Sequence, residues 1–238
     1  IVLPGAPGGP LTLTAEAGRI QQDTSVDALL GTPPRFVNTT LLLGDDRSER
    51  FRVDIGQQLD RTAWFDSADW RLYWQGTDTE QRSFERRRAV PPRTPPLQIE
   101  REFRIEDRAY GLEFTAARAL TAGQITHDLV YGLEAALTTL DELRDGLQVN
   151  LATGATSTTI LGENMPMRDF PLTDVTGIGI FAQDEVAVGH SAWTLIPALR
   201  LDYYRLEPRA DRVYREDNPA VPVVALDELS FAPKLGVT

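Results

Sequence analysis

Residues 175–204 read VTGIGIFAQDEVAVGHSAWTLIPALRLDYY, two long stretches of alternating polarity separated by a short segment around Gly189-His190-Ser191. Successive side chains of a strand point to opposite faces. In the second stretch the even-numbered residues share one face, and this face becomes polar toward its end, where Arg200 and Asp202 lie. This pattern predicts a β-hairpin between water and an apolar environment, which could be a soluble core or a lipid bilayer. The opposite face of the second stretch is apolar and carries Trp193, Leu195, Pro197, Leu199, Leu201 and Tyr203.

The same alternation recurs along the 238-residue chain and predicts an all-β, antiparallel up-and-down meander of about eight long strands. The connections alternate between short turns and long loops, the long ones covering 18–50, 86–97, 141–174 and 206–226. A structureless loop of about thirty residues is unusual inside a compact soluble domain. The predicted strands are Leu11–Gly18, Arg50–Leu59, Ala68–Phe84, Ile99–Ala119, Ile125–Leu140, the two arms of the 175–204 hairpin, and Glu228–Thr238.

Alternating short turns and long loops are typical of outer-membrane barrels, whose strands are also longer than those of soluble sheets. The meander is therefore predicted to be part of a transmembrane β-barrel, with the apolar side of the hairpin against lipid. Arg200 and Asp202 are then predicted to belong to a polar ladder on the lumen side.

Composition narrows the classes of partner and site. Lys and Arg number 24 against 35 Asp and Glu, a formal charge of -11, which argues against a nucleic-acid partner. The dense basic run Arg86-Arg87-Arg88 is predicted to be a solvated loop end. The chain has no cysteine, which excludes disulfides, thiolate metal sites and cysteine nucleophiles.

Seven segments between about Arg50 and Thr238 resemble, in their order, the barrel of TonB-dependent outer-membrane receptors. Together they are most similar to the heme and hemoglobin receptor branch of that family. The segments are YGLEF (110–114), HDLVYGLEA (127–135), RDG (144–146), FPLTD (170–174), IFAQDEV (180–186), LIPALRLDYY (195–204) and FAPKLGV (231–237).

The resemblance implies a 22-stranded barrel around an N-terminal plug, in the outer membrane of a Gram-negative bacterium, that imports iron-bearing ligands with energy from TonB. Residues 1–238 are then expected to be a partial barrel domain without the plug, an open sheet that contacts outer-membrane lipid. The TonB complex would act through the absent plug. Heme, a heme protein or a ferric chelate would be the transported ligand, and no intrinsic cofactor is expected.

Few residues are candidates for ligand contact. Met165 and Met167 lie in the predicted 141–174 loop and are the candidates for a thioether contact to the ligand. The only histidines, His127 and His190, fall at the short-turn ends of their hairpins, far from a capture site. The resemblance would place heme-ligating histidines on the plug and on a distal loop, outside this chain.

The acidic residues Asp141, Glu142 and Asp145 lack the regular spacing of a calcium site and are predicted to lie in a solvated loop. No catalytic or metal-ligating residues are predicted. The favoured function is TonB-driven uptake of heme or hemoglobin-derived iron, with a ferric-siderophore receptor as the alternative. A soluble β-rich binding domain and an outer-membrane barrel enzyme are the alternatives from other classes.

Overall fold

A computed structural model describes residues 2–3, 8–189 and 192–238. A 3-10 turn covers Asp27–Leu29 and a short helix, α1, covers Arg212–Asp217. No helix among the described residues is both long and apolar enough to cross a membrane. The strands are β1 (Val2–Leu3), β2 (Leu11–Ser25), β3 (Thr39–Leu59), β4 (Ser67–Arg87), β5 (Leu97–Ala122), β6 (Ile125–Asn150), β7 (Thr156–Ser157), β8 (Thr159–Ile160), β9 (Glu163–Asn164), β10 (Leu172–Val188), β11 (Thr194–Arg209) and β12 (Leu226–Val237).

Eight of these strands are long, and they form one antiparallel meander. The hydrogen-bonded order is β1-β2-β3-β4-β5-β6-β10-β11-β12, with β7 beside β6 and with β8 and β9 in a separate hairpin. Across the described ranges the first and last strands do not pair with each other, so the sheet is open. The predicted all-β meander of about eight strands is confirmed, and His190 of the predicted turn lies outside the described residues.

The strands are longer than predicted, and the predicted loops are correspondingly shorter. The predicted 18–50 loop shrinks to 26–38, because β2 continues to Ser25 and β3 begins at Thr39. The extensions escape the pattern because charged and polar residues such as Arg19, Asp23, Asp45 and Arg47 interrupt the apolar alternation. Similarly, β6 continues to Asn150 and β11 to Arg209.

Two corrections follow from these longer strands. The acidic residues Asp141, Glu142 and Asp145 belong to β6, and the Glu142 side chain is buried, so the predicted solvated loop is wrong. Arg86 and Arg87 belong to β4, and only 15% of the Arg87 side chain is exposed, so the predicted solvated loop end is wrong for Arg87.

One face of the sheet carries an unbroken apolar band, and we call it the apolar face. Directly paired residues of neighbouring strands lie on the same face. Many of these side chains are exposed, with Leu229 reaching 70%. A contiguous exposed apolar surface of this kind marks contact with a membrane or a partner. One row of register partners crosses all eight long strands: Leu13, Ile55, Leu72, Leu112, Ala135, Ile178, Tyr203 and Leu229.

The sheet has two distinct ends, which we call the turn end and the loop end. The turn end carries the short connections, such as 123–124, and the loop end carries 26–38, 88–96, 151–171 and 210–225. Toward the loop end the apolar face becomes charged. Its ion pairs include Arg82–Glu102, Arg104–Glu80 and Arg108–Asp78.

Strand length explains this change of surface. β5 and β6 each have 26 residues, whereas a transmembrane strand needs only about 9–11. The charged part is therefore the portion of each strand that extends beyond the apolar band at the loop end.

Candidate functional site on the polar face

The opposite face, which we call the polar face, carries a ladder of ion pairs. The guanidinium of Arg200 lies 2.8 Å from a carboxylate oxygen of Glu134 and 2.9 Å from one of Asp202. A more distant pair joins Arg71 to Glu113 at 3.8 Å. The predicted polar ladder of Arg200 and Asp202 is confirmed. A polar, ion-paired face behind an apolar one is typical of a barrel wall with a wet interior.

A second feature of the polar face is the stack around Tyr73. Arg52 lies 4.2 Å above the Tyr73 ring and forms a 2.7 Å ion pair with Asp54. The ring occupies the space above Gly111, where a Cβ atom would come within 2.1 Å of ring carbons. Gly111 is therefore required for the ring to lie flat against the strand.

We expect Gly111→Ala to destabilise the protein by about 1–3 kcal/mol, because the new methyl group displaces Tyr73 and separates it from Arg52. Equilibrium unfolding of the intact protein in bilayers measures the effect. In a Tyr73→Ala background the same substitution should cost much less, since its clashing partner is gone. Gly177→Ala is the control, because a Cβ there meets no atom within 4 Å. Equal costs at both glycines would contradict the clash.

The polar face contains a groove near the loop end, which we call the loop-end groove. Its floor is a row of mostly small residues that are register partners, namely Thr24, Gly44, Ser83, Arg101 and Gly146. The cavity above this row has a volume of about 920 Å³. Cavities that bind small ligands generally have about 300–1,000 Å³. The groove is therefore large enough for a ligand.

A buried charge cluster adjoins the groove, and we call it the Glu85 cluster. The Glu85 carboxylate has no exposed surface and accepts hydrogen bonds from Thr39 Oγ1 at 2.6 Å and Arg87 Nε at 2.6 Å. Arg101 Nη1 donates to its other oxygen at 3.3 Å. The cluster therefore consists of Thr39, Glu85, Arg87 and Arg101, with two guanidinium groups for one carboxylate.

The pKa values of the cluster reflect this balance. Burial by itself would raise the pKa of Glu85, but hydrogen bonds from Arg87 and Thr39 and the charges of Arg87 and Arg101 outweigh it and lower that pKa. Burial lowers the pKa of Arg101, and the Glu85 carboxylate opposes this shift only in part. The guanidinium of Arg101 therefore carries a positive charge that its surroundings incompletely compensate.

The sequence analysis did not identify this cluster. The alternation Glu85-Arg86-Arg87 was an available signal, because residues two apart in a strand share a face and an acid and a base can pair there. The contribution of Arg101 has no such signal, since its pairing with Ser83 depends on the register between β4 and β5.

The 151–171 segment folds over the polar face at the loop end. Ile160, Met165 and Met167 pack with Ile99 of β5 in a buried apolar cluster. Both methionines are only 6% exposed. In this arrangement Met165 and Met167 hold the segment against the sheet, and their contact with a ligand stays a prediction.

Polar contacts fix the same segment. Glu142 accepts hydrogen bonds from the backbone N–H groups of Asp169 at 2.8 Å and Phe170 at 3.3 Å. Burial raises the pKa of Glu142, although these two hydrogen bonds partly oppose the shift. Arg168 connects Asp141 of β6 with Asp211, which caps α1. The long connections thus form one contacting layer at the loop end.

The remaining candidates lie elsewhere. His127 Nδ1 is 2.7 Å from an Asp184 carboxylate oxygen near the turn end, far along the sheet from the loop-end groove. His190 is not among the residues that the structure describes. In the described part of the chain no group of three or more acidic or histidine side chains is arranged to hold a metal ion.

Comparison with known proteins gives the family. The family model "TonB dependent receptor-like, beta-barrel" matches residues 4–238. No curated protein matches the sequence. BauA, the ferric preacinetobactin receptor from Acinetobacter baumannii, has a similar fold, with a TM-score of 0.50, 12% identity, and coverage of 97% of this chain and 35% of that one. The unliganded ferric citrate transporter FecA gives a TM-score of 0.45 at 12% identity, over 95% of this chain and 31% of that one.

The chain thus spans about a third of the length of these two proteins. The predicted likeness to the heme and hemoglobin branch stays a prediction. The family lies in the outer membrane of Gram-negative bacteria and consists of receptors and transporters, so the soluble-domain and enzyme alternatives are wrong. With an apolar band on one face, an ion-paired ladder on the other and a family match over nearly its whole length, the chain belongs to the TonB-dependent receptor β-barrel family.

Proposed function

We propose that residues 1–238 are a partial barrel domain of an outer-membrane receptor that imports an iron-bearing ligand, with energy delivered by the TonB complex through a plug. The observation that carries this proposal is the two-faced sheet. Its apolar band suits lipid, and its ladder around Arg200 suits a wet passage closed by further strands and filled by a plug.

Heme or hemoglobin-derived iron is the favoured cargo. The support is the ordered set of sequence segments that resembles the heme and hemoglobin branch, above all YGLEF at 110–114 and LIPALRLDYY at 195–204. A ferric siderophore is the second candidate. The fold is shared with a ferric preacinetobactin receptor, and Arg101, which shares the Glu85 carboxylate with Arg87, lines the loop-end groove and suits an anionic chelate.

Heme titration of the intact receptor, purified in detergent from the outer-membrane fraction, tests the cargo. We expect a shift of the heme Soret band that saturates near one heme per receptor. We also expect growth on heme iron that is lost in a strain without TonB. The absence of a Soret shift, together with TonB-dependent uptake of a ferric siderophore, would overturn the heme assignment and favour the second candidate.

The variants Met165→Leu and Met167→Leu keep the side-chain volume and remove the thioether. An altered Soret maximum in either variant would support a direct methionine contact with heme. An unaltered maximum would restrict both residues to packing.

A further inference from the structure

The Glu85 cluster contains hydrogen-bond donors that the protein does not use. Among the described residues, neither Arg87 Nη2 nor Arg101 Nη2 has a hydrogen-bond partner, and both atoms are shielded from solvent. A guanidinium carries five N–H donors and no acceptor. Burying charged donors without acceptors is unfavourable, and burying two guanidiniums around one carboxylate adds uncompensated charge. The cluster is therefore short of one anion.

On its Arg101 side the Glu85 cluster borders open space. Arg101 lines both the loop-end groove and an adjoining cavity of about 570 Å³ on the same face. The small residues Gly44 and Ser83 beside it leave the floor open. A Cβ atom on Gly44 would meet nothing closer than 3.8 Å, so the free space extends down to the backbone.

We propose that Arg101 forms an anion site in the loop-end groove that takes a carboxylate group of the imported ligand. The proposal rests on the proposed function, because it assigns the chemical group by which the same cargo is recognised. The unused Nη2 donor of Arg101 supplies a hydrogen bond to a carboxylate oxygen, and guanidinium–carboxylate pairs are among the strongest polar contacts in proteins.

Access to the site involves the β2–β3 connection. Val26 and Leu29 of that connection line the adjoining cavity with Arg101, and the Val26 N–H donates to the Leu42 carbonyl of β3 at 2.9 Å. Since the Arg101 Nη2 atom is shielded, a carboxylate in the groove reaches it by a local shift of the side chains around Arg101. The two sources of such a carboxylate are a heme propionate and an acidic iron chelator.

Binding to the purified intact receptor tests the site, with citrate, ferric citrate, heme and heme dimethyl ester as probes. Citrate and ferric citrate represent the chelator source. Heme represents the propionate source, and its dimethyl ester lacks the free carboxylates. We expect Arg101→Met to weaken binding of the carboxylate probe about tenfold or more, and to leave the dimethyl ester unaffected.

Opposite charge changes should have opposite effects. Glu85→Gln frees both guanidiniums from their carboxylate, so we expect it to strengthen binding of the same probe severalfold. Gly44→Leu fills the groove without changing charge and should weaken binding. The matched control is Arg104→Gln, on the same strand but on the other face, where Arg104 pairs with Glu80 and Glu102; it should bind as the wild type does.

Two results would overturn the site. One is wild-type affinity for every probe in both Arg101→Met and Glu85→Gln. The other is a wild-type receptor that binds none of the carboxylate probes. If Arg101→Met fails to assemble, the loss expected in Gly44→Leu still decides, because that variant leaves the Glu85 cluster intact.

Iron uptake by cells is measured separately from these binding constants. Carboxylate binding without TonB-dependent iron uptake would overturn the proposed function and leave the site. Iron uptake with unaltered binding in the variants would overturn only the site.

Discussion

Leu112→Arg is expected to destabilise the barrel by about 2–4 kcal/mol, the cost of placing an arginine on the lipid face near the membrane midplane. Leu112 lies in the central row of the apolar band, between Leu72 of β4 and Ala135 of β6. Equilibrium unfolding of the intact receptor in lipid bilayers measures the loss, and a lower yield of assembled protein in the outer membrane should accompany it.

The control substitution is Gln98→Arg, on the same strand and the same face but beyond the apolar band. Gln98 is partly exposed and donates a hydrogen bond to Glu100, so an arginine there can extend into water and should change stability by less than about 0.5 kcal/mol. Similar losses at both positions would mean that the apolar band does not face lipid.

Glu85→Gln is expected to cost about 3–5 kcal/mol of local stability at the loop end, because it leaves two largely buried guanidiniums without their carboxylate. Hydrogen–deuterium exchange of the intact receptor should show faster exchange in β4 and β5 near residues 83–101, in the absence of a carboxylate ligand. The membrane-spanning parts of these strands should keep their protection.

Two further variants separate charge from packing at the Glu85 cluster. Combining Glu85→Gln with Arg101→Met removes one charge of each sign and should recover part of the lost stability. Glu102→Gln is the control, since Glu102 pairs with Arg82 and Arg104 on the more exposed, opposite face. Ion pairs of this kind contribute little to the free energy of unfolding. Equal exchange in Glu85→Gln and Glu102→Gln would contradict the importance of burial.

The sequence was sufficient for those parts of the fold that have one apolar and one polar face. In the hairpin of 175–204 the period-2 pattern identifies both strands and the pairing side of Arg200 with Asp202, because residues two apart share a face. The same rule does not predict the strand conformation of Arg19 and Glu49, because charged and polar residues interrupt the apolar alternation around both. The extensions pair across neighbouring strands, as in the 3.6 Å contact between Arg19 and Glu49. Because such partners are distant in sequence, the alternation within one strand does not reveal the pairing.

The candidate site was less predictable than the fold. Met165 and Met167 were identified only as rare residues in a loop, and their packing with Ile99 depends on how 151–171 folds back over the sheet. Likewise, Arg87 appeared as one member of a basic run. Its burial follows from Glu85 on the same strand and Arg101 on the next, a combination that the register between β4 and β5 creates.

At the loop end the strands extend beyond the apolar band, and this determines the order of events in the proposed uptake. Arg101 is eleven residues along β5 from Leu112 (112 − 101), roughly 37 Å of strand, or about 26 Å of height at a tilt of roughly 45°. Half of the hydrocarbon layer is only about 15 Å. The loop-end groove therefore lies outside the hydrocarbon layer of the membrane. In the proposed import function, a ligand bound in the groove has not yet entered the membrane-spanning part of the barrel. Substitutions in the groove should therefore change which ligands bind and leave the transport rate of a bound ligand unchanged.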